Sequence, residues 1–291
     1  MRTIDDVFLQ EWNLNYPRAI QLETCSSCNS HCTFCPYQET SQMFPNSVMS
    51  EELFNKIIGE LKQFQPQLVA PYMNNEPLLD PNLFTRIQKI RSALPNTFID
   101  ISTNGSLLTK DRSVKLLSQE LLVDEIKINF PSVIKEEYER LTGMNYNRNL
   151  RNIFDFANIV ENSKFKGRHR IIIVGSNHPE IDKEFWDEMS IEAKFYPKIS
   201  RGGIIDTGES KKEEINSCKY EREKSWMHIL SNGQAVLCCM DWYHKNILGD
   251  LNQEDIYSIW NGKKYQDIRN KIMDSQDISF ICNNCEWGIK K

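Results

Sequence analysis

Residues 23–36 read Glu-Thr-Cys-Ser-Ser-Cys-Asn-Ser-His-Cys-Thr-Phe-Cys-Pro, and Cys28, Cys32 and Cys35 stand four and three residues apart, directly after an apolar run expected to form a strand. Three thiolates leave one iron of a cubane without a protein ligand, open to a substrate or cofactor. The spacing also suits a zinc ion completed by His31 or Cys25, because Cys₄ and Cys₃His sites are common.

Beyond this stretch, short apolar runs alternate with amphipathic segments, as in repeated βα units around a parallel sheet. Strands are expected near 18–24, 66–73, 97–102, 124–130, 168–175 and 192–199. A helix runs from a Ser50 cap to about residue 63, with Glu51 and Glu52 in its first turn. Asp80-Pro81 opens a second, and others fit near 109–121, 147–160 and 180–189. Six such units make an α/β chain whose leading architecture is a partial (β/α)6 TIM-like barrel, although periodicity equally permits an open doubly wound sheet. The character changes at Arg201-Gly202-Gly203, and the chain stays polar to about Asn216. Residues 1–200 are therefore read as the core and 201–291 as a small C-terminal α+β domain. There, 226–230 and 234–238 flank Ser231-Asn232-Gly233, a hairpin signal, and helices follow near 254–260 and 263–273.

With 40% hydrophobic residues the 291-residue chain can bury a sizeable core. Its net charge of −5 is spread over interspersed acids and bases, so no basic field awaits nucleic acid. Met1-Arg2-Thr3-Ile4-Asp5-Asp6 carries acids where a signal peptide is basic, and no apolar run approaches the roughly 18 residues of a membrane span. A soluble cytoplasmic protein is expected. Nine cysteines in a reducing compartment point to metal or catalysis rather than disulfides. They fall into two blocks, Cys25 to Cys35 and Cys218 to Cys285, with 182 cysteine-free residues between.

On Cys28, Cys32 and Cys35, with Phe34 before the last cysteine and Glu23-Thr24 and Pro36 as flanks, the chain resembles the radical S-adenosylmethionine (SAM) superfamily. The resemblance spans residues 18 to about 200. It implies that the open iron chelates SAM through its amino and carboxylate groups, and that one electron cleaves SAM to methionine and a 5′-deoxyadenosyl radical. Met73-Asn74-Asn75-Glu76-Pro77-Leu78 resembles the family's segment that holds the SAM amino group, with asparagines where glycines are usual. Glycine there permits a close backbone approach, so asparagine must tolerate the same conformation or alter the contact. Ser102-Thr103-Asn104-Gly105 looks like the turn that contacts ribose and carboxylate, and Asn129 ends the next strand. The implied SAM contacts are Phe34, Asn75, Glu76, Ser102, Asn104 and Asn129. Cys25 has no counterpart and reads as a packing thiol or a bystander.

Cys218, Cys238 and the pair Cys282-Asn-Asn-Cys285 resemble the auxiliary-cluster domain of the SPASM/twitch subgroup, and Gly249-Asp250-Leu251 and Ile259-Trp260-Asn261 look like its connector. The sequence runs six residues past Cys285, so one auxiliary cluster with these four ligands is implied; zinc is again the alternative. If Cys238 faces that cluster from a strand, Cys239 faces the other way. It then reads as a hydrogen-atom donor or alternative ligand at a substrate cavity, or as a small buried hydrophobe. Arg201 and Asp241 are candidate substrate contacts where the domains meet, or solvated charges. The five histidines form no ligand pair at i and i+4.

The implied cofactors are two [4Fe–4S] clusters and SAM, and the implied partner is an external one-electron reductant such as flavodoxin or ferredoxin. The first functional reading is a two-electron oxidation of a secondary alcohol on a carbohydrate-like small molecule. Alternatives are a radical epimerase with Cys239 as donor, an enzyme modifying a ribosomal peptide, and a non-enzymatic electron carrier. About seventeen residues before the first strand are too few for a leader-peptide domain, which weakens the peptide option.

Overall fold

The computed structural model describes residues 11–118, 121, 123–165, 167–208, 215–273 and 280–289. The N-terminal hexapeptide, positions 119 and 120 of the expected 109–121 helix, and 209–214 of the polar linker lie outside the described residues.

Apolar runs at the expected places form β1 (Ala19–Leu22), β2 (Leu68–Ala70), β3 (Phe98–Thr103), β4 (Glu125–Asn129), β5 (Arg168–Val174) and β6 (Ala193–Tyr196). They pair in parallel and in sequence order. A doubly wound sheet needs a reversal of strand order; this one winds in a single direction, as a partial barrel does. Pro71 follows the short β2, and a residue without an N–H cannot continue the ladder. Around the sheet run α1 (Tyr37–Met43), α2 (Glu51–Phe64), α3 (Leu83–Ala93), α4 (Lys110–Leu116), α5 (Lys135–Thr142), α6 (Tyr146–Glu161) and α7 (Pro179–Glu188). Ser50 caps α2 by accepting from Leu53 N at 3.1 Å.

Two expectations are corrected. Asp80-Pro81 does not open α3, which begins at Leu83 after Asn82; the Asp80 carboxylate accepts from Asn82 N, as a cap does, and from Arg86. The β4 to β5 connection holds two helices, since α5 stops at Gly143 in the left-handed region (φ 67°). A Cβ at Gly143 would lie 3.1 Å from His31 Cβ, so glycine both ends the helix and lets the cysteine loop approach.

The C-terminal part comprises β7 (Ser217–Cys218), α8 (Arg222–Ser225), β8 (Trp226–Ile229), β9 (Gln234–Val236), β10 (Ile247–Asp250), α9 (Ile256–Asn261), α10 (Lys263–Met273), α11 (Phe280–Asn283) and β11 (Gly288–Ile289). The hairpin signal at Asn232-Gly233 is met by antiparallel β8 and β9, with Gly233 at φ 93°. β8 lies parallel to β1, with Ala19 opposite Trp226 and Leu22 opposite Ile229. The sheet therefore reads β10-β9-β8-β1-β2-β3-β4-β5-β6, and the C-terminal strands extend the core sheet. Among the described residues no helix is long and apolar enough to cross a membrane.

One buried arginine holds the segments beside the first cysteine block. Arg86 on α3 donates to Thr24 O at 2.8 Å, to Asp80 Oδ2 at 2.9 Å, to Glu51 Oε1 at 3.0 Å, and to Met49 O. The side chains of Arg86 and Asp80 are both fully buried. Arg86→Leu leaves Asp80 as an uncompensated buried charge and should cost about 3–5 kcal/mol of stability. Anaerobic chemical unfolding of the two proteins checks this, and a loss below about 1 kcal/mol contradicts the anchoring role.

Candidate functional site

The cysteine loop leaves β1 and is fixed by its backbone. Cys28 N donates to Tyr37 Oη at 2.8 Å, His31 N to Thr142 O at 2.9 Å and Thr33 N to Leu141 O at 2.8 Å. Ser30 Oγ reaches Thr142 O and also lies 2.9 Å from Cys32 Sγ. Burial pushes the Cys28 thiol up to about 12 and the Cys32 thiol to about 11, and raises Cys35. Mutual repulsion adds to the rise of Cys28 and Cys32, while the Arg201 guanidinium opposes it at Cys32 and Cys35. Such thiols become thiolates only when a cationic centre takes the place of their protons.

A single zinc ion would hold these sulfurs about 3.8 Å apart, given Zn–S bonds of about 2.3 Å. Among the described residues the one group of His, Cys, Asp or Glu ligands compact enough for one ion, within 4.8 Å of one another, is His228, Cys238 and Cys239. The sulfurs of Cys28, Cys32 and Cys35 do not form such a compact group, and His31 is exposed. Cys25, by contrast, is fully buried, with its sulfur 3.4 Å from Asn75 Nδ2, and it packs beneath the loop.

Four further thiols converge from separate elements. Cys218 sits in the β7–β11 ladder opposite Gly288, Cys238 follows β9, and Cys282 and Cys285 lie on and just after α11. They line one cavity of about 40 Å³ together with Arg222. Burial raises the Cys285 thiol to about 11. The donor set, four sulfurs around one cavity, fits a four-thiolate iron–sulfur cluster.

The turns beside the first trio interlock. Glu76 is 1% exposed, and burial pushes its carboxyl up to about 7. Its oxygens accept from Leu78 N at 3.1 Å, Thr103 Oγ1 at 2.6 Å and Asn104 N at 2.7 Å. Glu76 thereby joins the 73–78 turn to the 102–105 turn. Asn75 also turns inward, accepting from Met73 N as well as donating to Cys25. Neither Asn74 nor Asn75 is at positive φ, so asparagine carries no backbone strain where glycine is usual. Asn104 and Asn29 link the second turn to the cysteine loop at 2.9 Å. Gly105, at φ 77°, leaves room for Ile128. Asn129 Nδ2 donates to Ser102 Oγ at 2.9 Å, and Phe34 is half-buried on the cysteine loop.

One other expectation changes with the structure. β9 ends at Val236, so strand alternation does not separate Cys238 from Cys239, and their sulfurs lie within 4.8 Å of each other and of His228. A hydrogen bond from Cys238, with Arg222 and His228 beside it, draws the Cys239 thiol well below its ordinary range. Asp241 is 1% exposed and both its oxygens accept from its own loop, from Lys245 N at 3.0 Å and Asn246 N at 2.7 Å. Arg201 does stand near the first trio, with a buried Nε lacking a hydrogen bond.

The barrel interior holds charges that the sequence reading did not single out. Asp100 Oδ2 accepts from Tyr72 Oη at 2.7 Å and Lys127 Nζ at 2.6 Å, and Arg170 reaches Glu125 at 3.3 Å. Burial alone lowers Lys127, but Asp100 and Tyr72 carry it above the ordinary lysine range. The available signal was a polar residue at every second position, Asp100 and Ser102 on β3 and Glu125, Lys127 and Asn129 on β4.

Residues 22–156 match the radical SAM superfamily, and residues 218–286 match SPASM, an iron–sulfur cluster-binding domain. The S-adenosyl-L-methionine-dependent 2-deoxy-scyllo-inosamine dehydrogenase of Niallia circulans is 21% identical over 268 residues, 91% of each chain. Among solved structures, BtrN in complex with AdoMet and 2-DOIA superposes with a TM-score of 0.64 at 20% identity, covering 92% of both chains. Streptococcus suis SuiB bound to precursor peptide SuiA gives 0.70 at 13% identity, over 93% of this chain and 70% of SuiB. The anSMEcpe protein with bound AdoMet gives 0.67 at 15% identity, over 93% of this chain and 84% of its own. These likenesses carry the fold.

Anaerobic reconstitution should yield about eight irons and eight sulfides per chain, the content of two cubanes. Replacing Cys28, Cys32 and Cys35 by alanine should leave about four irons and abolish 5′-deoxyadenosine formation; iron analysis and chromatography measure both, and persistent SAM cleavage contradicts the assignment. Glu76→Gln puts an amide NH₂ against one of three donors, a penalty of about 1–3 kcal/mol. It should lower the melting temperature and weaken SAM binding about tenfold, the equivalent of about 1.4 kcal/mol. Calorimetry and equilibrium binding read the two effects, and unchanged values for both contradict the bridging role.

Proposed function

We propose that this chain, which belongs to the radical SAM superfamily and carries a SPASM-type iron–sulfur domain, is a dehydrogenase that oxidises a secondary alcohol on a small carbohydrate-like molecule. The observation that carries this reading is the direct tie between the two thiol sites. Asn74 Nδ2, on the turn beside the first site, donates to the Cys239 carbonyl at 3.1 Å, and Cys239 follows the cavity-lining Cys238. When bound, SAM and the clusters supply a hydrogen-abstracting 5′-deoxyadenosyl radical and a nearby acceptor for one electron.

The chain's own residues position and shield that chemistry. Cys28, Cys32 and Cys35 hold the first cluster; Cys218, Cys238, Cys282 and Cys285 hold the second. Ser102, Asn104 and Asn129 face SAM on turns that Glu76 and Asn75 keep in register, with Phe34 beside them. Arg201 offers a cation to an anionic or hydroxyl group beside the first trio. Asp100 Oδ1 is buried without a hydrogen bond and, with Lys127, offers an acceptor and a donor to a hydroxyl-bearing substrate. In this reading the core occupies residues 1–200 and the auxiliary domain 201–291. The partner is a cytoplasmic one-electron donor such as flavodoxin or ferredoxin.

Two observations favour oxidation over epimerisation. The relative of known activity that aligns along nearly the whole chain is named as a dehydrogenase. Arg222 Nη1 donates to Cys239 Sγ at 2.8 Å, and a guanidinium favours the thiolate, which has no hydrogen atom to return to a substrate radical. With 2-deoxy-scyllo-inosamine and related aminocyclitols and polyols as probes, the holoenzyme should form a ketone lighter by about two mass units, one 5′-deoxyadenosine accompanying each turnover. Product made in D₂O should carry no solvent deuterium on carbon, and Cys239→Ala should still turn over. Mass spectrometry decides, because an isobaric product with one solvent deuterium establishes epimerisation, and turnover confined to a peptide excludes the small-molecule reading.

A further inference from the structure

Arg222 opens α8, immediately before β8, and its side chain is half-buried with Nε enclosed. Nη1 donates to Cys239 Sγ at 2.8 Å, while Nε is buried without a hydrogen bond. The guanidinium lies over the rings of Trp226 and Tyr220, 5.3 and 5.6 Å from their centroids. Burial would lower its pKa, and the charges that oppose this are all thiols, namely Cys239, Cys238, Cys218 and Cys285. Among the described residues the hydrogen bond of Arg222 goes to a thiol and not to a carboxylate, and the buried Glu223 carboxylate, which lines the same cavity, is drawn to Arg269. A guanidinium stays charged in a protein, and a buried cation without an anion costs several kcal/mol. Cys239 supplies one thiolate to this cation, and because Arg222 lines the same cavity as Cys218, Cys238, Cys282 and Cys285, the cubane those four would hold, negatively charged with four thiolates, is a second anion at close range.

We propose that Arg222 is a positioning residue for electron transfer, a fixed cation that raises the reduction potential of the auxiliary cluster and so makes it an effective acceptor. During alcohol oxidation the carbon first gives a hydrogen atom to the 5′-deoxyadenosyl group. The remaining carbon radical loses its O–H proton to solvent and one electron to the oxidised cluster, and the C=O bond forms. Reduction adds one negative charge beside Arg222, and in a medium of low dielectric that charge is favoured by a cation at close range. The two aromatic rings and the bond to Cys239 keep the guanidinium from swinging toward water. This inference rests on reading Cys218, Cys238, Cys282 and Cys285 as the ligands.

The test is an EPR-monitored redox titration of the holoenzyme, with the auxiliary signal identified as the one that SAM addition leaves unchanged. In Arg222→Gln and Arg222→Met the ratio of reduced to oxidised cluster at the wild-type midpoint should fall at least tenfold, a shift of about 59 mV for one electron. Arg222→Lys, which keeps the charge, should shift less. An unchanged midpoint in either neutral variant at full iron content overturns the proposal. If both neutral variants lose the auxiliary iron while Arg222→Lys keeps it at an unshifted midpoint, the cation holds the cluster rather than setting its potential, and the proposal is overturned. If all three lose it, Arg222 acts by packing and the proposal is overturned. A Cys282→Ala, Cys285→Ala double variant separates the premise: a surviving auxiliary signal means that the ligand reading has failed, whatever Arg222 does.

Discussion

The parallel pairing of β1 with β8 is the constraint on which the site depends. Ala19 to Leu22 lie beside Trp226 to Ile229, and Glu23 N continues the ladder to Ile229 O. A parallel pair needs a crossover connection, and here the crossover is the whole barrel. The entropy of closing so long a loop grows only logarithmically with its length, so a modest surplus of packing and hydrogen bonds sustains it. The first cysteine loop leaves one of these strands, and Cys238 and Cys239 follow the hairpin built on the other. Glu23, pushed up to about 7 by burial, accepts from Ser231 N and Oγ and strengthens the same junction.

Charge explains the rest of the arrangement around the thiols. Burial opposes ionisation in both cysteine sites, and each site has an arginine facing it, Arg201 for the first and Arg222 for the second. Both are cations in places where a lone charge is costly, and both gain when their neighbouring thiols become iron-bound thiolates. The barrel interior is organised differently. There Asp100, Lys127, Glu125 and Arg170 compensate one another, which lets a polar lumen persist inside a sheet whose outer face packs on apolar helices.

Backbone geometry accounts for the departures from the usual glycine-rich turn. With ordinary φ values at Asn74 and Asn75, the asparagine amides are free to make contacts that glycine has no atoms for. Asn75 ties down Met73 and Cys25, and Asn74 reaches the Cys239 carbonyl. The replacement thus trades close backbone approach for a link between the two halves of the site.

Sequence alone determined what depends on covalent neighbours. Cys28, Cys32 and Cys35 are brought together by a loop of eight residues, so their grouping was legible; Ser50, Asn232 and Gly233 act on the backbone next to them, so their cap and turn were legible too. The alternating apolar runs placed all six barrel strands, because a side chain's face follows from its position in the strand. Tertiary structure decided which distant groups meet. That Glu76 faces Thr103 and Asn104 follows from β2 pairing with β3, and that His228 joins Cys238 and Cys239 and Arg222 lies among thiols follows from the β8–β9 hairpin and from β9 ending before Cys238. No local pattern encodes these choices, since a side chain's partners across the fold are set by the packing of elements far apart in the chain, and burial then fixes the charge each partner can carry.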